Sequence, residues 1–153
     1  MRKFEKISFE EFKKSIKDDQ NLYENYKLPS RNSTNAAGYD FYLLEDIEIG
    51  PNEIVKIPTG IKACFNPDEV LLLIVRSGTG FKYNIRLVNQ VGVVDADYYN
   101  NENNEGHLFV KLQNESDKVL NFIAGDALVQ GVFIKYLTTD DDQKIDKKRA
   151  TNY

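Results

Sequence analysis

Cysteine and histidine are almost missing from this chain of 153 residues: Cys64 and His107 stand alone. One cysteine excludes an intrachain disulfide and fits a reducing, cytoplasmic compartment. One Cys and one His leave a zinc centre without its usual ligands. No apolar run approaches the ~20 residues that a bilayer-spanning helix needs. The start, Met1-Arg-Lys-Phe-Glu-Lys6, is charged and lacks the apolar stretch of a signal peptide. No membrane partner is therefore expected. A strong charge excess is missing too, with 20 Lys and Arg against 24 Asp and Glu and a net charge of -4. Such mild acidity disfavours a nucleic-acid polymer. A free nucleotide stays open, because a few local arginines and backbone N–H groups hold phosphate whatever the net charge.

What is present suits one globular domain over residues 1–153, with 41% hydrophobic residues to fill a core. Residues 8–18 read as a helix within an N-terminal extension, 1–27. Ser8 and Glu11 have capping-box spacing, and Ile7 and Phe12 can form a hydrophobic staple. Phe9, Phe12 and Ile16 share one helical face. From Tyr39 the period changes. Residues 46–49, 54–57, 70–75, 108–112, 119–123 and 128–137 read as short strands separated by turns. With no second clear helix, an all-β sandwich or barrel is expected. Residues 100–105 read as a solvated polar loop, and 140–153 as a flexible C-terminal arm.

The densest segment is 88–99, Val-Asn-Gln-Val-Gly-Val-Val-Asp-Ala-Asp-Tyr-Tyr. Val91, Val93 and Val94 read as strand in a hairpin-like unit, and Gly92 permits close backbone approach. Asp95 follows an apolar run. It is either a turn residue or a general base whose pKa burial would raise. Tyr98 offers a flat face beside it. Arg76-Ser77-Gly78 follows a buried strand and is either a simple turn or a phosphate cradle. Asp40, closing Ala36-Ala-Gly-Tyr-Asp40, is either a loop acid or the holder of a water on a divalent cation. Gln130 sits in an apolar strand and needs a partner if buried.

Taken in order, Ala-Gly-Tyr-Asp, Arg-Ser-Gly, the 88–99 unit and Gly125-Asp-Ala-Leu-Val-Gln130 resemble the first four motifs of the trimeric dUTP diphosphatase (dUTPase) family. The resemblance runs from about Leu28 to the C-terminus. The N-terminal helix and the Tyr98-Tyr-Asn-Asn-Glu102 insertion look like the branch of Gram-positive bacteria and their phages. The resemblance implies a jelly-roll-like β-barrel with a short N-terminal helix, assembled as a homotrimer with sites at subunit interfaces. It implies Mg²⁺-dependent hydrolysis of dUTP to dUMP and pyrophosphate, which limits uracil in DNA and supplies dUMP for dTMP synthesis. By position, Asp95 would activate the attacking water and contact the 3′-hydroxyl. Tyr98 would lie against the deoxyribose. Asn89 and the backbone at Val93 and Val94 would read uracil, and Phe109 would line the same pocket. Arg76, Ser77, Gly78 and Gln130 would hold phosphates, and Asp40 a water of the Mg²⁺ shell.

The chain departs from the family at its end. Arg149-Ala-Thr-Asn-Tyr153 stands where the fifth motif has an arginine, a glycine pair, an aromatic and a Gly-Ser-Thr run. Arg149 would then reach the γ-phosphate and Tyr153 would cover uracil, with weaker closure and a lower rate expected. A dCTP deaminase-like enzyme shares the fold, but the Val-Asp-Ala-Asp-Tyr run argues against it. A dUTP-binding module acting on a protein partner, expected if the chain is of phage origin, is the alternative of a different class. A catalytically dead trimer is a third.

Overall fold

The computed structural model describes residues 1–148. Its N-terminal part is more elaborate than one helix. A strand, β1 (Lys3–Lys6), precedes α1 (Phe9–Ser15) and α2 (Gln20–Asn25). Ser8 caps α1, accepting from the Glu11 N–H at 3.1 Å. The reciprocal half of the box is made elsewhere: the Ser8 N–H donates to Glu105, at 2.9 Å and 97 residues away. Glu11 is instead buried, with Lys14 at 3.9 Å. The first helix stops at Ser15 because Ile16 leaves helical geometry, at φ -123° and ψ -78°. α2 carries no apolar stripe to announce it; Asp19 caps it, accepting from the Leu22 N–H at 3.0 Å. Ile7, Phe12 and Leu44 form a small core here, ringed by Phe9, Ile16, Leu22, Tyr23 and Tyr26. The staple pair therefore joins the extension to the main domain.

The remainder is β2 (Tyr39–Tyr42), β3 (Ile47–Ile49), β4 (Ile54–Pro58), β5 (Ile61–Cys64) and β6 (Glu69–Val75), then α3 (Ser77–Tyr83). After it come β7 (Ile85–Leu87), β8 (Gly92–Asp95), β9 (Phe109–Asn114), β10 (Leu120–Phe122) and β11 (Ala127–Lys135). α3 is a correction: Arg76-Ser-Gly opens a helix and not a plain turn. The helix ends at Asn84, whose left-handed φ of 54° suits asparagine. All pairings are antiparallel. The sheets run β2-β11-β6-β8, β4-β9-β7, β1-β5 and β10-β3. They wrap one apolar core that includes Phe41, Ile49, Leu71, Leu73, Leu87, Leu108 and Leu112. Alternation explains β9: Leu108, Val110 and Leu112 are buried, while Phe109 and Lys111 face the other way. The expected all-β jelly-roll class therefore holds.

The unit at 88–99 is not a hairpin. β7 pairs with β9, and β8 pairs with β6, so residues 88–91 arch from one sheet to the other. Two local bonds close the arch, Gln90 N–H to Leu87 O at 2.8 Å and Val91 N–H to Asn89 O at 2.7 Å. Gly92 lies opposite Leu73, where a Cβ would come within 3.1 Å of the Leu73 Cβ. A side chain there would push β8 off β6.

The loop at 100–105 is also not simply solvated. Asn101, Asn104 and Glu105 are half-buried and fold back over Tyr98. Residues 138–148 form no helix or strand and are exposed. No helix among the described residues is long and apolar enough to cross a membrane.

His107, fully buried, joins the extension to this fold. Its Nε2 accepts from the Gly60 N–H at 2.9 Å. The neutral ring must then carry its proton on Nδ1, which lies 3.3 Å from the Ser15 hydroxyl. That hydroxyl donates onward to Glu11 O at 2.7 Å. Burial, the main cause, lowers the pKa to about 4; Glu105 raises it and Lys56 lowers it.

Two outcomes are expected. Leu112 is 0% exposed in the middle of the core, so Leu112→Ala should cost about 2–5 kcal/mol in urea unfolding; a loss under ~1 kcal/mol would put that strand outside the core. The second concerns His107, whose imidazole resonance is unique in the chain. Its folded pKa is depressed, so the stability it supports is complete above pH ~6.5 and fades as pH falls toward about 4. The NMR titration should show a neutral ring down to pH 5; a midpoint near 6.5 would contradict the buried network.

Candidate active site

The arch encloses a cavity of about 340 Å³ between the two larger sheets, within the range of small-ligand pockets. Leu73 and Gly92 line one wall, and Lys56, Leu87, Phe109, Val110 and Lys111 the other. Val88 and Asn89 of the arch close it. Asn89 and Phe109, read from the sequence as pyrimidine-binding, therefore do share one pocket. β8 is the outermost strand of its sheet. One backbone edge at Val93 and Val94 thus lies outside the ladder, where it can offer donors and acceptors to a ligand. Val93 turns its side chain out, 62% exposed, while Val94 is buried.

Asp95 ends β8 and is half-buried, and the short 3₁₀ turn Ala96–Tyr98 starts from it. Tyr98 lies largely in the core, with 4% exposure. Its hydroxyl donates to His107 O at 2.8 Å and accepts from Asn104 Nδ2 at 2.9 Å. Two hydrogen bonds at the hydroxyl thus fix the ring in place.

The second group lies at the other end of β6. Asp40 is opposite Gln130 in the β2–β11 register, and Gln130 is opposite Ile74 in β11–β6. Arg76 Nε meets Asp40 Oδ1 at 3.1 Å, and Arg76 Nη1 donates to Ala127 O at 3.0 Å. Asn32 Nδ2 donates to the other Asp40 oxygen at 2.6 Å. Gln130 Nε2 donates weakly to Val75 O at 3.4 Å. Gly38 leaves room for the Gln130 side chain: a Cβ there would fall 2.0 Å from Gln130 Oε1 and displace it. Gly78 differs: a Cβ there would meet nothing within 4 Å. Within a single chain, that position therefore has room for a side chain. Ser77 and Gly78 fill the first turn of α3, where backbone N–H groups have no helical acceptor.

Among the described residues, no three His, Cys, Asp or Glu side chains converge on one point. Asp40 stands with an amide and a guanidinium. That set fits Mg²⁺ held mainly by water and substrate phosphates, and does not fit an all-protein cage.

The two groups are far apart. Asp95 is opposite Val70, and Arg76 lies six residues further along the chain. At ~3.3 Å per strand residue the gap is about 20 Å. Arg76 does not reach back, because its guanidinium is tied to Asp40 and Ala127, on the β2 side of the sheet. Arg149 and Tyr153 lie outside the described residues.

Sequence reading overlooked several residues here. Lys56 and Lys111 sit opposite each other in β4–β9, and Lys56 Nζ lies 4.6 Å from the centre of the Phe109 ring. Alternation along β9, which sets Lys111 on the face of Phe109, was the available signal. Asn32 and His107 had none, since their partners are distant in sequence or set by turns.

The family profile described as dUTPase matches residues 24–152. The deoxyuridine 5'-triphosphate nucleotidohydrolase of Lactococcus lactis is 41% identical over 124 residues, 81% of this chain and 83% of that protein. The crystal structure of dUTPase from Streptococcus mutans is 43% identical, with a TM-score of 0.72 over 90% of this chain and 98% of that one. A D95N mutant dUTPase of Staphylococcus aureus phage phi11, in which a structural Mg(II) ion is coordinated, is 21% identical. It covers 96% of this chain and 97% of its own with a TM-score of 0.67, a likeness that carries the fold alone. With the profile spanning most of its length and close relatives on both sides, the chain belongs to the dUTPase family.

Proposed function

We propose that this chain hydrolyses dUTP, the reaction of its family, at sites shared between copies of itself, three copies forming a homotrimer. The reaction gives dUMP and pyrophosphate. The observation that carries the shared site is the ~20 Å between Asp95 and Arg76 along β6. The α-phosphorus must lie beside the carboxylate that activates water and within reach of the groups that neutralise phosphate charge. One chain cannot bring both to it. In a closed ring, the arch of one copy and the Asp40, Arg76, Ser77, Gly78 and Gln130 group of the next can meet.

In that arrangement the pyrimidine enters the cavity above Phe109, with Asn89 and the outer backbone edge of β8 along its polar edge. A fixed backbone edge rejects cytosine, because the wrong donor–acceptor pattern leaves buried groups unpaired. The deoxyribose lies toward Tyr98, whose tethered ring leaves no room for a 2′-hydroxyl. Asp95 takes the proton from a water whose oxygen attacks the α-phosphorus, and the bond to the β-phosphate oxygen breaks to release pyrophosphate. Arg76, the Ser77 hydroxyl and the first-turn N–H groups of α3 hold the phosphate chain. Gln130 would join them on the phosphates, Asp40 would hold Mg²⁺ through its waters, and what the ion supplies when bound is charge neutralisation on the phosphates. Arg149 and Tyr153 would close the site from the arm. Cytoplasm is the compartment that fits a lone, unpaired Cys64.

Asp95→Asn should abolish pyrophosphate release, by at least ~10²-fold, while the variant still binds dUTP. Turnover within tenfold of the parent would remove Asp95 as the base. UTP should be a poor substrate for the parent chain, and equal rates on dUTP and UTP would refute the role of Tyr98.

A further inference from the structure

Residues 1–23 lie before the stretch that the family profile matches, yet they grip the loop that follows Asp95. Glu105 is the principal anchor. Its carboxylate accepts from both the N–H and the hydroxyl of Ser8. Lys62 Nζ adds a contact at 3.3 Å. Burial opposes the charge of Glu105, and the Ser8 and Lys62 contacts more than offset it, so the carboxyl titrates below its usual range. Glu105 also has a left-handed backbone, φ 63°. A non-glycine residue holds that conformation at a cost of about 1 kcal/mol, and only where its surroundings fix it. Further along the loop, the Tyr99 hydroxyl donates to Glu5. Lys14 Nζ reaches Asn103 O at 3.4 Å.

The loop in turn holds the nucleotide pocket, through His107. Its carbonyl accepts from the Tyr98 hydroxyl at 2.8 Å. Its ring packs against Phe109, with centroids 4.2 Å apart and planes tilted by 44°. One residue thus touches both the sugar-facing tyrosine and the phenylalanine that lines the base cavity. Its orientation is fixed from outside the pocket, by the Ser15 hydroxyl of α1 on Nδ1 and the Gly60 N–H on Nε2.

We infer that His107 is a positioning residue for the nucleotide pocket, and that the N-terminal extension sets its place through Ser15 and, by way of Glu105, through Ser8. This rests on the reading of Tyr98 and Phe109 as sugar- and base-facing groups. The extension touches no nucleotide in this arrangement. It acts by fixing Tyr98, the ring that sorts dUTP from UTP, and Phe109, which lines the base cavity, so loosening it blunts selectivity more than it slows the chemical step.

Ser15→Ala and Glu105→Ala, made separately in the full chain, test this by steady-state kinetics on dUTP and UTP, with thermal melting alongside. Each should raise KM for dUTP and lower the dUTP-to-UTP ratio of kcat/KM by about fivefold, the factor that one lost hydrogen bond is worth. kcat for dUTP should stay within about twofold. Ser15→Thr keeps the hydroxyl and should restore the parent ratio. A lowered melting temperature with KM and the ratio unchanged would overturn the inference, leaving the extension a structural brace. His107→Leu is a further arm if it folds; Ser15 and Glu105 decide the matter if it does not. Asp95→Asn, run in parallel, separates the two claims: an active Asp95→Asn chain defeats the site assignment, whereas an unchanged ratio defeats only the coupling.

Discussion

β6 is paired on both sides, and that double register governs the rest of the molecule. On one flank β8 lies against its first half and sets Asp95 opposite Val70. On the other, β11 runs the full strand and sets Gln130 opposite Ile74, with Asp40 one strand further out. A shift by one residue would turn Leu71 and Leu73 out of the core. The register is therefore held by burial, and the distance between the base end and the phosphate end follows from it. Packing alone thus keeps Asp95 and Arg76 apart in a single chain, which is the basis of the proposed shared site.

The two ends are built by different physics. At the phosphate end, the charges are satisfied within the chain: Asp40 accepts from Arg76 and Asn32, and Arg76 is also bonded to a carbonyl. These contacts hold the guanidinium and carboxylate in place, so in the proposed site little reorganisation is left for the moment of reaction. At the other end, the surface is immobile. The arch is locked by its own backbone bonds, Gly92 rests on Leu73, and Tyr98 is bonded at its hydroxyl. Lys56 over Phe109 adds positive charge at the rim of the cavity.

Much of this was legible in the sequence, and the failures have physical causes. The strand pattern from Tyr39 onward located the sheets, because alternation and turn residues survive tertiary context. Motif order brought Asp40, Arg76 and Gln130 to one place, and Asn89 and Phe109 to another. The arch at 88–91 read as a hairpin because two short apolar runs around a turn look alike whether they pair with each other or with separate sheets. Arg76-Ser-Gly reads as a turn because a Ser-Gly pair after a strand usually is one; here Asn84 ends a helix, and Arg76 N–H and the Thr79 hydroxyl donate to Leu128 O and hold it. The box of Ser8 and Glu11 was half right: a carboxylate from 97 residues away took the place of the local one. Nothing local to Glu105 or His107 announces a partner in α1.

The central claim is that each site needs two copies of the chain. Asp95→Asn and Arg76→Ala chains, each inactive alone, can be unfolded together and refolded as mixed trimers. Wherever the Arg76→Ala chain supplies Asp95 and its Asp95→Asn neighbour supplies Arg76, the site is intact. Random mixing in equal amounts should then restore dUTP hydrolysis to about a quarter of the parent level, since each interface draws both neighbours independently. Mixed trimers that form and yet release no pyrophosphate would contradict the shared site.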